Sequence, residues 1–122
     1  MNVASTAAFQ PGPYMAVYYA SKAYVLHFTE ALAVELRRTP LAVTCLAPGP
    51  THTEFAATAV ADRTRLFSFG VMDAGTVARA GYRGFRRKRL IVIPGLKNKV
   101  VAFAVRLAPR AFTRRVVEFL NT

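Results

Sequence analysis

A tyrosine and a lysine stand four positions apart in the apolar run VYYASKAYVL, residues 17–26. On a helix this spacing puts Tyr18 and Lys22 on the same face, one turn apart. A lysine ammonium beside a phenol favours the phenolate, so the pair is suited to general acid/base work on an alcohol or a carbonyl. Tyr19 lies about 100° around the helix, and we expect it to miss both the lysine and that face. The spacing alone is common in ordinary helices, so its surroundings decide whether it carries chemistry.

Two polar stretches flank the pair at the ends of predicted strands. Ser5 ends NVAS, residues 2–5, which resembles the close of a buried strand, and PGPTHT follows the apolar run LAVTCLA at 41–47. In a parallel sheet the carboxyl ends of the strands gather at one edge, where ligands bind. We therefore expect Ser5, the Tyr18–Lys22 pair and Pro48–Thr53 to meet at that edge.

The elements that would position these residues alternate along the chain. A loop at 6–15 leads into a helix over 17–38, which Pro40 stops. After the strand at 41–47, the segment 51–72 has little clear period and predicts one or two short helices. A helix capped by Asp73, a strand over 90–95 and two helical pieces broken at Pro109 follow. This order predicts an α/β fold with a parallel sheet.

Composition narrows the functional classes. The 122 residues carry 17 Lys and Arg against 6 Asp and Glu, a net charge of +11. No zinc-ligand spacing, RNP-like strand or helix-turn-helix pattern accompanies this charge, so we expect no nucleic-acid partner. A solvated basic face and contact with an anionic membrane surface both stay open. Cys45 is the single cysteine, which excludes an intrachain disulfide and favours a cytoplasmic setting, with Cys45 packed in the core. No apolar run approaches the roughly 20 residues of a membrane span.

The stretch from NVAST through YYASKAYVLHFTEALAVELRRTPLAVTCLAPGPTHTEF resembles the C-terminal half of a classical short-chain dehydrogenase/reductase. The resemblance is specific from residue 2 to about residue 55 and looser to residue 95, where RLIVIPG is similar to the family's final strand. It implies the C-terminal half of a doubly wound parallel-sheet (Rossmann) fold in residues 1–95. Residues 96–122 would form a basic amphipathic helical tail.

The resemblance also gives the motif residues their roles. Tyr18 would be the catalytic acid/base, with Lys22 supporting it and bonding the nicotinamide ribose, and Ser5 would hold the substrate oxygen. The nicotinamide end of the cofactor, NAD or NADP, would lie against Tyr18, Lys22, Pro48, Gly49, Thr51 and Thr53. Hydride transfer between the nicotinamide and a carbonyl or alcohol is the implied reaction. The family commonly dimerises through the tyrosine helix, which implies a homodimer.

The segment from Glu54 to Met72 would form a substrate lid in this family. Its large apolar side chains favour a small apolar carbonyl or alcohol substrate, and core packing would explain them equally well. They are Phe55, Leu66, Phe67 and Phe69.

The family's glycine-rich turn, where the cofactor's pyrophosphate meets a helix N-terminus, is not found here. The seven glycines stand at 12, 49, 70, 75, 81, 84 and 95, and none forms that turn after a strand. The family's asparagine upstream of the serine is also missing. We therefore expect a truncated fragment, inactive alone and without measurable dinucleotide binding.

A non-enzymatic alternative rests on the last helical piece. Its apolar residues recur at helical spacing beside Arg110, Arg114 and Arg115, a pattern typical of a basic helix on anionic lipid, and equally of one packed on its own domain or a second subunit. They are Phe112, Val116, Phe119 and Leu120. His27 and His52 belong to no metal-ligand pattern, so we expect no metal site.

Overall fold

Among the residues that the structure describes, three parallel strands form the main sheet. The computed structural model describes residues 1–54, 65–68 and 70–122. The sheet has the order β1-β2-β5, from Asn2–Val3 (β1), Cys45–Leu46 (β2) and Ile91–Val92 (β5). Asn2 lies opposite Cys45, which in turn lies opposite Ile91. A separate parallel pair joins Thr51–His52 (β3) to Met72–Asp73 (β4).

Helices connect and follow these strands. A 3-10 turn at Thr6–Phe9 precedes the longest helix. Within the described ranges the α-helices are Ala16–Glu35 (α1), Arg65–Ser68 (α2), Ala74–Arg86 (α3), Leu96–Leu107 (α4) and Arg110–Asn121 (α5). The predicted α/β class with a parallel sheet is confirmed, and so are the cap at Asp73 and the break between the last two helices.

Several predicted boundaries were wrong. Helix α1 ends at Glu35 rather than at 38, because the chain turns there: both the backbone N–H and the hydroxyl of Thr39 donate to the Leu36 carbonyl. The residue before a proline also avoids helical backbone angles, which keeps Thr39 out of the helix. The strands predicted at 2–5 and 41–47 each pair over two residues only.

The core lies on both faces of the central strand. Ala4, Ala8, Leu26 and Cys45 form a buried cluster between the sheet and α1. On the other face α3 approaches through two glycines: a Cβ at Gly81 would stand 2.7 Å from Leu46 Cδ2, and one at Gly84 would overlap Val92. The absence of side chains at these positions lets α3 lie close to the sheet.

Helices α4 and α5 pack back onto the rest of the chain. Val117 of α5 shares a buried cluster with Ala7 and Tyr19. The Arg65 guanidinium stacks 4.2 Å from the centre of the Phe119 ring. Within the described ranges, no helix is both long enough and apolar enough to span a bilayer.

Candidate active site

A cavity of about 540 Å³ opens where β1 and β2 end. Every motif residue singled out from the sequence contributes to its wall: Ser5, Tyr18, Lys22, Pro48, Gly49, Thr51 and Thr53. These residues come from three separate stretches of chain, and the parallel sheet brings them to one place. The structure thus assembles the predicted constellation, as expected from the carboxyl ends of neighbouring parallel strands.

Ser5 occupies the turn that leaves β1. Its backbone is extended, and its Oγ caps the 3-10 turn by accepting a hydrogen bond from the Ala7 N–H at 3.1 Å. A serine hydroxyl that accepts in this way can still donate its own hydrogen. The cap fixes the Ser5 side chain at the cavity wall, with a donor for an oxygen atom inside it.

Lys22 and Tyr18 lie together on α1, as their spacing predicts. The Lys22 Nζ stands 5.8 Å from the centre of the Tyr18 ring. The same Nζ donates to the Val3 carbonyl at the end of β1, 3.2 Å away. This bond ties the ammonium to the strand that also leads into Ser5, so a shift of α1 against the sheet would disturb the whole cluster.

The neighbouring Tyr19 differs from Tyr18 in its surroundings. It is buried, and its hydroxyl donates to Asn121 Oδ1 at 3.2 Å. Burial raises the pKa of the Tyr19 phenol, which keeps it protonated. The ring nevertheless lines the same cavity, in edge contact with Tyr18 at 6.0 Å between ring centres, which was not expected from its position on the helix.

The loop after β2 holds its shape through local bonds. The Thr51 hydroxyl donates to the Gly49 carbonyl at 2.9 Å, and β3 then pairs with β4. A Cβ at Gly49 would stand 2.6 Å from the Asn98 side chain. The lack of a side chain at Gly49 therefore accommodates a residue of α4.

Asn98 is a residue that sequence reasoning missed. Its Nδ2 donates to the Pro94 carbonyl at 2.8 Å and lies 3.6 Å from Met72 Sδ. It therefore ties the start of α4 to β4 and to the loop at Gly49. Its place three residues into a helix that follows Pro-Gly was the one available clue.

The remaining expectations concern the lid and the histidines. Phe55 and Phe69 lie outside the described residues, and Leu66 and Phe67 belong to α2. His27 is exposed with its Nδ1 3.6 Å from Glu30, and His52 is exposed on β3. In the part of the chain that the structure describes, no group of three or more His, Cys, Asp or Glu side chains is arranged to hold a metal.

Comparison with known proteins identifies the family. A model of the short chain dehydrogenase family matches residues 1–64, just over half of the chain. The chain belongs to the short chain dehydrogenase family.

Relatives within the short chain dehydrogenase family are similar over different spans. Human dehydrogenase/reductase SDR family member 4 is 45% identical over 53 residues, which are 43% of this chain and 19% of the relative. A short-chain dehydrogenase from Sphingobium yanoikuyae, solved in complex with NADPH, is 30% identical with a TM-score of 0.71. The match covers 91% of this chain and 42% of that one. An alcohol dehydrogenase from Comamonas testosteroni, specific for bulky-bulky ketones, is 26% identical with a TM-score of 0.57, over 87% and 39% of the two chains.

The aligned region is thus about a fifth of the curated relative and about two fifths of these solved dehydrogenases. Over that shared part, the chemistry of the cavity wall suits the nicotinamide end of a dinucleotide. An ammonium has three donors, and the Val3 carbonyl takes one of those on Lys22. The others can meet ribose hydroxyls, and the cavity volume falls within the range of small-molecule sites, about 300–1,000 Å³.

Proposed function

We propose that this chain supplies the acid/base and substrate part of an NAD(P)-dependent oxidoreductase. The observation that carries the proposal is the single cavity lined by Ser5, Tyr18, Lys22 and the loop at Pro48–Thr53. The NADPH bound in the Sphingobium relative supports the choice of cofactor. The residues described here are compatible with either NAD or NADP.

Tyr18 moves the proton in this proposal. During reduction its phenol O–H gives a proton to the substrate's carbonyl oxygen, and during oxidation the phenolate takes the proton back. The Lys22 ammonium stabilises the phenolate by its charge. Because the Val3 carbonyl holds the ammonium, the charge stays beside the Tyr18 ring through the cycle.

Ser5 orients the reacting oxygen. Its hydroxyl hydrogen, left over after the Ala7 N–H has bonded to Oγ, donates to the same substrate oxygen that Tyr18 protonates. When bound, the cofactor supplies the hydride that the carbonyl carbon accepts. Pro48, Gly49, Thr51 and Thr53 would lie along the nicotinamide, while Lys22 would also bond its ribose.

A cofactor fragment that carries only the nicotinamide end tests the proposal with the residues that this chain contains. Reduced nicotinamide mononucleotide carries the ring and ribose without the adenosine. We expect it to shift the NMR resonances of Tyr18 and Thr53 on titration. Because it lacks the pyrophosphate and adenosine for which the chain has no glycine-rich turn, we expect it to reduce aldehydes slowly in the presence of the chain, although the chain alone should be inactive with NAD or NADP. Tyr18→Phe should keep the Thr53 shift on binding and lower turnover by about 10²–10⁴-fold. Tyr82→Phe, on the exposed face of α3, is the matched control. Unchanged turnover in Tyr18→Phe would overturn the assignment.

The exposed side of α1 supports a homodimer as part of the same proposal. Val17, Tyr24 and Phe28 are exposed there, with the Tyr24 and Phe28 rings stacked at 5.9 Å. Burying this surface against a second copy would remove apolar area from water. Analytical ultracentrifugation should show a dimer for the wild type and a monomer for Phe28→Glu. A dimer that survives Phe28→Glu would place the interface elsewhere.

A second candidate function, contact with an anionic phospholipid surface, is supported by the outer face of α4. Leu96, Val100, Phe103 and Leu107 follow one side of the helix and are 78%, 60%, 62% and 74% exposed. Lys97, Lys99 and Arg106 flank them, and Glu118 is the one acidic residue from 96 to 122. A second copy of so basic a surface would be repelled, whereas anionic headgroups would be attracted.

The α5 residues expected to make this contact are placed differently. Phe112, Val116 and Leu120 line a groove between α4 and α5, and Phe119 lies under Arg65. We expect the chain to sediment with vesicles that contain phosphatidylglycerol and to be released by salt. Phe103→Asp should abolish sedimentation with these vesicles, while Tyr82→Asp should not. Equal binding to purely phosphatidylcholine vesicles would contradict the charge argument.

A further inference from the structure

A second cavity, of about 340 Å³, lies between α4 and α5. Thr6, Gln10 and Pro50 belong to its wall and also to the wall of the first cavity. The two spaces therefore adjoin along these three residues. A ligand with its reacting oxygen at Ser5 and Tyr18 could extend past Gln10 into the groove between the helices.

Two rows of apolar side chains form the groove. Val101 and Val105 stand one turn apart on α4, and Phe112, Val116 and Leu120 stand one turn apart on α5. Val101, Phe112 and Val116 are exposed to 47%, 61% and 39% although they face this shared space. Filling the groove with a hydrocarbon would remove that surface from water.

Two of the uncharged polar side chains in the wall are already bonded to the chain itself. Asn98 donates to the Pro94 carbonyl, and the Thr113 hydroxyl donates to the Pro109 carbonyl at 3.3 Å. Lys97 is exposed and adds a charge at the rim. A polar ligand would have to break these bonds, whereas an apolar one would leave them intact.

We infer that the groove between α4 and α5 binds the extended hydrocarbon tail of the substrate. The substrate class is then a carbonyl compound, or its alcohol, that carries an extended apolar tail. This inference rests on the proposed function for the position of the oxygen at Ser5 and Tyr18. In the reductive direction the carbonyl carbon gains a hydride and its oxygen a proton, and the tail takes no part in the bond changes.

Binding of a series of straight-chain alcohols tests the groove without any cofactor. Butanol, hexanol, octanol and decanol are titrated into the chain below their solubility limits, and the methyl resonances of Val101, Val105 and Val116 are followed. Each added methylene that becomes buried should tighten binding by about fourfold until the groove is full. Affinity that does not depend on length would overturn the inference.

Two substitutions that fill the groove make the test specific. Val116→Phe and Val105→Phe should each remove the dependence on chain length, and Val34→Phe on the exposed side of α1 is the matched control. Circular dichroism and the thermal midpoint establish which variants are folded. If a folded variant with a filled groove keeps the wild-type length dependence, the tail binds elsewhere and the inference is wrong.

Failure of the groove and failure of the proposed function give different results. Tyr18→Phe should leave the length dependence of alcohol binding unchanged, because Tyr18 contacts the oxygen end. If alcohol binding depends on chain length but Tyr18→Phe leaves turnover unchanged, the proposed role of Tyr18 is wrong and the inference about the groove stands. If turnover requires Tyr18, but neither turnover nor binding depends on chain length, the inference about the groove is wrong and the proposed function stands.

Discussion

The Tyr19 phenol donates a hydrogen bond to Oδ1 of Asn121, 3.2 Å away, which joins α1 to the last turn of α5 across 102 positions of sequence. Asn121 Nδ2 donates in turn to the Pro13 carbonyl at 2.8 Å. The amide thus holds both the start of α1 and the loop before it. Of the two adjacent tyrosines, Tyr18 lies beside Lys22 in the candidate site, and Tyr19 anchors the C-terminal helix.

Removing the Tyr19 hydroxyl should therefore destabilise the chain. Tyr19→Phe leaves a buried Asn121 oxygen without its donor, which typically costs about 1–3 kcal/mol of unfolding free energy. Tyr14→Phe is the matched control, since Tyr14 is exposed and bonds Glu118 at the surface. Chemical denaturation should show a lower midpoint for Tyr19→Phe and no clear change for Tyr14→Phe. Equal midpoints for both variants would show that the buried bond contributes little.

The same residue predicts a dependence on alkaline pH. Burial raises the pKa of Tyr19 above its ordinary value of 10.0, so the folded chain holds this proton more tightly than the unfolded chain. The resulting stabilisation is complete below pH 10 and is lost as the pH rises further. The difference in Tm between wild type and Tyr19→Phe should then narrow above pH 10. A difference that stays constant there would contradict the raised pKa.

Close packing of α3 on the sheet predicts opposite results for two glycines of one helix. Gly84→Ala would drive a methyl group into Val92 and should cost about 1–3 kcal/mol of unfolding free energy. Gly75→Ala would place a methyl group 3.2 Å from Arg79 Nη1 and from the Asp73 Oδ2 that caps the helix, a contact that a shift of a few tenths of an ångström relieves. It should be tolerated or mildly stabilising because alanine favours the helix. Thermal unfolding of the two variants checks this, and a Gly84→Ala midpoint at or above that of Gly75→Ala would refute it.

Helix α3 also depends on its cap in a pH-dependent way. The Asp73 carboxylate accepts from the Thr76 N–H at 2.8 Å, and this bond lowers the pKa of Asp73 below its ordinary 3.8. The stabilisation is present above pH 3.8 and is lost as the pH falls through the lowered pKa. Asp73→Ala should lower the Tm near neutral pH, and the deficit should shrink in acid. Asp73→Asn, which keeps an acceptor oxygen, should recover part of the loss; a deficit independent of pH would exclude the carboxylate as its cause.

Cys45 should resist thiol reagents in the folded chain. It is fully buried between β1 and β5, and burial raises the pKa of its thiol. Little thiolate is then present to react. A chromogenic disulfide should label Cys45 only after denaturant is added, whereas Val34→Cys in a Cys45→Ser background should react at once. Rapid labelling of native Cys45 would show that the sheet opens readily.

Sequence reasoning predicted the parts of this fold that have strong local causes. Pro109 and Asp73 end or begin helices through their own chemistry, and the apolar run before Pro48 places the central strand. The four-residue spacing of Tyr18 and Lys22 put both on one face of α1 because helical geometry fixes it.

Other features depend on contacts between distant parts of the chain. The strands β3 and β4 have two residues each, too few for an alternating pattern, and they exist because one pairs with the other. The cavity-lining position of Tyr19 follows from α5 packing behind it. The contact of Asn98 with Gly49 joins two segments that have no shared local pattern. Local periodicity therefore located the candidate residues, but it did not predict what holds them in place.

The order β1-β2-β5 has a consequence for how the chain folds. Each pairing in this sheet joins strands separated by at least one complete helix, so the sheet cannot start from a hairpin. The long connection between two strands must close before the strands can form hydrogen bonds to each other. Chains with this topology therefore fold more slowly than most chains of their size. During synthesis β1 leaves the ribosome well before its partner strand β2. Helix α1, whose Leu26 packs against Ala4 and Ala8, is synthesised before β2 and can shield that segment while β2 is still missing.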